Sequence, residues 1–347
     1  MDEKIFIDYV KHKREKFDEI KDKLKIILVI SSNKDSGNNS ISGTENAILY
    51  LCKKYKIDYE CFFNENDFIK YSLNNLSLEH PYLLIYNQSF AGPLFSRRIL
   101  IPAFCGYNKL EYVGNDAYRM GLLCDKFHYY SILKSLSIPI AEFWYYHYDF
   151  GWITEKPMQG LKVIMKLSNE NNKLSLTEDS VFNYSDDFEE AIYSLSVKYN
   201  QGVILQKFIV GYEVTVPAII DRKQIYTPNI LGLFNKGKMK FEHNFMTETY
   251  FTKTRALNNE EKYFNFCLVN TGIQHVIKSY SKKIIKALGI KGFTRIDLRI
   301  DDSWGIYFND IGSMPSISPN GAFQAIYEMN GMNYEDFLIT TICINYE

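Results

Sequence analysis

Apolar and polar positions along the chain fall into blocks with two different periods. Residues 2–23 mix both signs of charge and set Ile5, Tyr9 and Phe17 on or near one face, which predicts an N-terminal helix. The run KIILVISSN at 25–33 predicts a buried strand, and the polar stretch SSNKDSGNNSISG that follows opens a helix over 44–55. Strand, polar loop and helix in that order predict the first unit of a parallel α/β sheet, with 57–63 and 82–87 as further strands, up to about residue 107.

The pattern then changes. One helix is predicted over 115–136 and ends at Ile138-Pro139, ahead of the aromatic strand 141–148. LKVIMKLS at 161–168 alternates as a strand, and a helix follows over 186–199. The stretch 202–221 predicts a strand, a short connector and a second strand. From Lys278 onward the pattern predicts a helix, a hairpin of strands 293–300 and 306–311 around the turn DDSWG, a Pro/Ser/Gly loop and a last helix. Hairpins and helices in this half indicate α+β rather than a doubly wound sheet. The chain shows no internal repeat.

Length and charge narrow the partners. At 347 residues the chain is too long for one compact core and should hold two or three domains. Its 40 basic and 41 acidic residues nearly cancel, so there is no overall electrostatic footprint for nucleic acid or an anionic membrane. Any anionic ligand must be met by a local cluster of Lys and Arg. Apolar residues make up 46% and charged residues 23%, as in an ordinary globular protein. No apolar run approaches the roughly 18–20 residues of a membrane span, and the first 25 residues lack the apolar core of a secretory signal, so a cytoplasmic chain is expected. Six scattered cysteines, without a CxxC pair or a His at ligand spacing, indicate neither a zinc site nor a disulfide framework. The 27 Tyr and 24 Phe are read mostly as core.

The candidate chemistry begins with Asp297 and Asp310, on neighbouring strands joined by a short turn. If the hairpin pairs, they face one another, and two hard oxygen ligands suit Mg²⁺ when water and phosphate fill its other positions. Solvated acids at strand ends are the plainer alternative. Arg295, two residues before Asp297, shares its face as a salt bridge or an anion clamp. Lys126 opens a turn of helix. Lys166 ends an otherwise apolar strand and must snorkel or find an anion, unless the strand is an edge.

In combination these residues resemble the ATP-grasp ligases, most closely the D-alanine–D-alanine ligase branch. YVGNDAYRMGLLCDKFHYYSILKSLSIPIAEF at 112–143 is similar to that family's "YVGS…mDK…k.lL…gIPt", and VIMKLSNE to "viVKPs.E". ILQKFIVGYEVTV is similar to "vlvEkfI.GrE.tV", and FTRIDLRIDDSWGIYFNDIGSMPSISP to "g.gRvDf..d..g..y.lEiN..Pg.t..S". The four motifs occur in order from about residue 110 onward. The resemblance implies an ATP-grasp fold, α/β and α+β, with an N-terminal α/β preATP-grasp domain over 1–110 and ATP-grasp halves over 111–200 and 201–347. It implies Lys126 and Lys166 on the ATP phosphates, adenine contacts from Gln206 and from the backbone of Lys207 and Ile209, and Glu213 on the ribose. It places Arg295 at the developing oxyanion and Asp297 and Asp310 on Mg²⁺. The implied reaction phosphorylates a carboxylate to an acylphosphate, which an amine attacks. ATP, Mg²⁺ and small carboxylate and amine substrates follow, and a homodimer is one assembly the family forms.

Several positions depart from the family pattern. Its Glu-x-Asn metal motif is Asp310-Ile311-Gly312 here, and alternation would turn the adjacent Asn309 to the other face. The Gly/Ser-rich phosphate loop reads Glu170-Asn171-Asn172-Lys173-Leu174-Ser175. Gln206 stands for an acid, and its carbonyl would accept from the adenine amino group, with guanine left open. SSNKDSGNNSISGTEN and YNQSFAGPLFSRR replace the family's substrate stretches, so D-alanine is not the expected substrate. Arg97 and Arg98 are either carboxylate contacts or a solvated surface. Lys253 and Arg255, within 241–257, are candidate lid cations. The leading expectation is an amide-forming ligase. The alternative is a degenerate ATP-grasp protein that binds nucleotide or a partner without turnover, and a third option is a kinase-like transfer.

Overall fold

The computed structural model describes residues 2–30, 40–75, 80–89, 95–169, 178–233, 267–268, 271–319 and 321–347. Its first part opens with α1 (Asp2–Ile20), where Phe6, Val10, Phe17 and Ile20 recur at helical spacing and are buried. β1 (Leu24–Ile30), α2 (Ser40–Tyr55), β2 (Asp58–Phe62), α3 (Glu65–Asn75), β3 (Tyr82–Gln88) and α4 (Phe95–Tyr107) follow. The three strands form a parallel sheet in the order β2-β1-β3. β1 is apolar from Ile26 onward because it is covered on both sides there: Ile26, Leu28 and Ile30 belong to one cluster, Ile27 and Val29 to another.

The helix expected over 115–136 is two helices, α5 (Ala117–Cys124) and α6 (Lys126–Ser135). Asp125 separates them in an extended conformation, and its carboxylate accepts from His128 N at 3.2 Å. An aspartate N-cap thus competes with helix continuation and wins, which puts Lys126 in the first turn of a helix. β4 (Phe143–His147), β5 (Gly151–Trp152), β6 (Lys162–Leu167), β7 (Val181–Asn183), α7 (Glu189–Tyr199) and β8 (Val203–Lys207) build an antiparallel sheet ordered β5-β4-β8-β6-β7. β8 is therefore bonded within this central sheet, and the chain leaves it at 208–211, beyond the boundary expected near residue 200. β6 lies between β8 and β7, but β7 pairs only with residues 162–164, so Lys166 is hydrogen-bonded to β8 alone and is buried where an exposed edge lysine would not be.

The third sheet contains β9 (Tyr212–Asp221), β10 (Gln224–Tyr226), β11 (Leu231–Leu233), β12 (Cys267–Leu268), β13 (Gly292–Ile300) and β14 (Ile306–Gly312), in the order β12-β11-β9-β13-β14 with β10 on β9. α8 (Thr271–Leu288) buries Ile277, Ile284, Ile285 and Leu288 in one cluster with Val216 and Ile296 of this sheet and Tyr129 and Tyr130 of α6. α9 (Ala322–Met329) and α10 (Tyr334–Cys343) close the fold. α1 packs on α10, and Lys13 Nζ reaches Asp221 Oδ2 at 2.8 Å and the Tyr346 carbonyl at 2.9 Å. Burial of Phe6 and Phe17 contributes about 1.5–3 kcal/mol each. Among the described residues no helix is long and apolar enough to cross a membrane.

Gly211, in the link between the central and third sheets, has φ +151°, and a Cβ there would fall 2.0 Å from the Ile300 carbonyl oxygen. Gly211→Ala must displace that backbone and should cost about 1–3 kcal/mol. Urea unfolding should show a lower midpoint, and an unshifted midpoint would refute this close approach.

Candidate active site

The central and third sheets meet along a cavity. Its walls include the apolar Ala141, Ile164 and Phe308, and its polar lining comes from Lys166, Gln206, Asn309 and Arg299. The two halves are joined there: Phe308 N donates to Pro139 O, in the segment ahead of β4, at 2.9 Å, and Lys166 Nζ on β6 donates to Asn309 Oδ1 on β14 at 3.0 Å.

Lys166 is 8% exposed, and its ammonium also donates to Gln206 Oε1 at 2.9 Å. Both hydrogen-bond partners are neutral amides, so they satisfy its protons without cancelling its charge. Burial lowers its pKa to about 8; Asp310 opposes that shift, while Lys126 and Arg299 add to it. A buried cation so placed favours an anionic ligand. Lys126, in the first turn of α6, places Nζ 3.8 Å from Asp310 Oδ1, and its backbone N–H donates to Ser168 O at 2.9 Å. Asp125 reinforces this junction by accepting from Ser168 Oγ and Asn169 Nδ2.

The two aspartates are direct cross-strand partners, as the hairpin reading requires. Asp297 is engaged on both oxygens: Thr215 Oγ1 donates at 2.6 Å and Arg295 Nη2 at 2.9 Å. Asp310 accepts from Tyr129 OH at 3.1 Å. Burial alone would raise the Asp310 pKa, but Lys126, Lys166 and Arg295, with the Tyr129 hydrogen bond, hold it below the usual carboxylate value. Asp297 in turn raises the pKa of Arg295. Among the described residues no three acids, histidines or cysteines gather as metal ligands. A carboxylate pair fits Mg²⁺ only if water and phosphate oxygens complete its coordination, as is usual for that ion.

Asn309 corrects the expectation drawn from strand alternation. Asp297 pairs with Asp310 and Leu298 with Phe308, which leaves Asn309 as an extra residue in β14. Such a bulge breaks strict alternation, and the Asn309 amide lines the cavity instead of facing away. Gln206 also differs from its expected use. Its carbonyl is taken by Lys166, with Tyr130 OH 3.4 Å away, and Nε2 is buried without a hydrogen-bond partner among the described residues.

The structure places Lys207 and Ile209 on the cavity wall and Glu213 on β9, opposite Arg299 of β13, with Glu213 Oε2 3.8 Å from Arg299 Nη1. All nine sequence-selected residues thus lie along one junction. Arg299 was missed, although Arg295, Asp297 and Arg299 alternate on one face of β13 and the period itself would have found it. Tyr129 and Tyr130 were read as core, and nothing in their spacing marks their hydroxyls as partners of Asp310 and the Asn309 carbonyl. Arg98 is buried, with Nη1 3.7 Å from Cys124 Sγ, and is not a solvated surface residue. The Arg97 side chain, the loop 170–175, most of 31–46, and Lys253 and Arg255 lie outside the described residues.

Two sheets that close on a cavity with apolar walls and a buried lysine are the arrangement of the ATP-grasp fold. Residues 161–343 match the family described as D-ala D-ala ligase C-terminus, and the chain belongs to that family. The D-alanine–D-alanine ligase of Borreliella afzelii is 23% identical over 235 residues, covering 65% of this chain and 62% of its own, which is under two thirds of the relative. That of Buchnera aphidicola is 22% identical over 250 residues, covering 69% and 74%. The crystal structure of the Bacillus anthracis D-alanine–D-alanine ligase complexed with ATP superposes with TM-score 0.68 at 14% identity, over 92% of this chain and 96% of that one. D-alanyl-alanine synthetase A of Vibrio cholerae gives 0.67 at 13%, over 92% and 98%. These structures share the fold.

A Cβ at Gly312 would meet Pro315 Cγ at 3.4 Å and the Arg295 carbonyl at 3.5 Å, which is ordinary contact. Gly312→Asn therefore has room for its Cβ, two residues along β14 from Asp310, and is expected to add an amide oxygen near the aspartate pair. Calorimetric titration should show roughly tenfold tighter Mg²⁺ binding in the variant. Equal affinity in both proteins would mean that the metal is not held at this hairpin.

Proposed function

We propose that the chain is an ATP- and Mg²⁺-dependent carboxylate–amine ligase, in which a small carboxylate is activated as an acylphosphate and captured by an amine. The observation that carries the reading is the convergence of Lys126, Lys166 and the Asp297–Asp310 pair at the junction of the two sheets. Under this reading residues 111–207 and 208–347 are the halves of the clasp. The apolar walls take the base, Glu213 the ribose hydroxyls, and Lys126 and Lys166 the phosphates. Bound Mg²⁺ would neutralise phosphate charge during transfer. Arg295, partly exposed beside Asp297, stabilises the oxyanion of the tetrahedral intermediate formed when the amine attacks.

The substrate pair is proposed to be something other than two D-alanines, because SSNKDSGNNSISGTEN and YNQSFAGPLFSRR replace the stretches that enclose the first amino acid in the family. A nucleotide-binding protein without turnover is the second reading, favoured by Gly312 and by the full engagement of Asp297.

ADP release measured with D-alanine alone, and with pooled amino acids and small carboxylic acids, separates these readings. Stimulation by a pool, with an amide in the product by mass spectrometry, is expected. Stimulation by D-alanine alone would overturn the substrate reading, and nucleotide binding without stimulated ADP in any pool would overturn the ligase. Arg295→Ala should lower kcat about 10²–10³-fold with little change in KM. Lys166 must be charged to hold phosphate, and in the free chain that charge is lost as pH rises through about 8. Affinity for a non-hydrolysable ATP analogue should therefore fall above pH 8, by up to about tenfold per unit, and Lys166→Arg should flatten the profile. An unchanged wild-type affinity up to pH 9.5 would contradict this role.

A further inference from the structure

Gln206 and Arg299 line the cavity, and each keeps a buried N–H donor without a partner among the described residues, where the family resemblance implies an acceptor at Gln206. Gln206 is 3% exposed, and Lys166 Nζ donates to its Oε1 at 2.9 Å. An ammonium only donates, so turning the amide over would set NH₂ against NH₃⁺. The amide is thereby locked with its carbonyl toward Lys166 and Nε2 at the opposite end, buried and without a partner. Arg299, on the same cavity and 6% exposed, repeats the condition. Nη2 donates to Gly211 O at 3.2 Å and Nη1 approaches Glu213, while Nε has no partner. Of the buried side-chain atoms left unpaired among the described residues, the two that belong to this cavity are both N–H donors.

Leaving such a donor unsatisfied in a complex costs roughly a factor of 5–150 in affinity. A ligand edge that completes the cavity must carry acceptors. The 6-amino group of adenine is a donor, whereas a 6-oxopurine offers a carbonyl at the same place. Resting on the nucleotide reading of this cavity, we propose that it accepts 6-oxopurine nucleoside triphosphates at least as well as ATP, and that Gln206 is the residue that sets this selection. Glutamate at 206 would keep one oxygen for Lys166 and present the other as an acceptor, which restores preference for a 6-amino group.

The full chain is titrated calorimetrically with the Mg²⁺ complexes of ATP, ITP and GTP, without carboxylate or amine. ITP differs from ATP only in the 6-carbonyl and the N1 hydrogen that accompanies it, because hypoxanthine lacks the 2-amino group of guanine, and the Gln206→Glu comparison separates the 6-position from N1. ITP is expected to bind at least as tightly as ATP, to within about threefold, and Gln206→Glu to weaken ITP relative to ATP by about 10–100-fold. A wild-type preference for ATP over ITP greater than about threefold overturns the proposal and leaves nucleotide binding standing. A folded Gln206→Glu that binds ATP with an unchanged ITP-to-ATP ratio also overturns it. If no nucleotide binds, the nucleotide reading falls with it. The wild-type comparison decides even where the variant does not fold.

Discussion

The ammonium of Lys166 is a buried charge whose hydrogen-bonded partners among the described residues are amides, one on each sheet. It binds the central sheet to the third through Asn309 and fixes the Gln206 amide on its own sheet. Burying a cation costs more than two neutral hydrogen bonds return, so the free chain carries an unfavourable group at the junction of its halves. That cost is accepted where an anion completes the site. The same ammonium, with Lys126 and Arg295, holds Asp310 ionised. Neighbouring charges therefore set one another's state, and a near-neutral chain presents a local cluster of cations.

Two local irregularities aim this cluster. The break at Asp125 starts a new helix at Lys126 and ties its first turn to the end of β6 through Ser168 and Asn169. Without it, one continuous helix would carry Lys126 mid-span, with no N-cap to fix its direction. The extra residue in β14 brings Asn309 to the cavity while the next residue, Asp310, stays opposite Asp297. A regular strand presents only one of two successive side chains to a given face, and the bulge allows both to serve one site.

The legible parts of the molecule were those governed by a local period. The apolar run of β1 indicated a buried strand, and the short turn DDSWG indicated a hairpin that sets Asp297 against Asp310. Alternation along β13 put Arg295 with Asp297 and held the signal for Arg299 as well. What alternation cannot carry is a one-residue slip, and Asn309 was assigned to the wrong face for that reason. The helix break was legible in principle from Asp125 as an N-cap, but the apolar spacing around it continues unbroken. Long-range pairings left no local trace: Lys13 with Asp221, the buried Arg98, and the orientation of Gln206, which depends on a lysine one strand away.

The central claim is that Lys166 is a cation strained by burial and relieved by an anionic ligand. It is tested most directly by following the Lys166 ammonium in an NMR pH titration, with and without a non-hydrolysable ATP analogue and Mg²⁺. The account predicts an apparent pKa of about 8 in the free chain and a clear rise when the nucleotide is bound. A titration near the ordinary lysine value in the free chain, unchanged by the nucleotide, would contradict it.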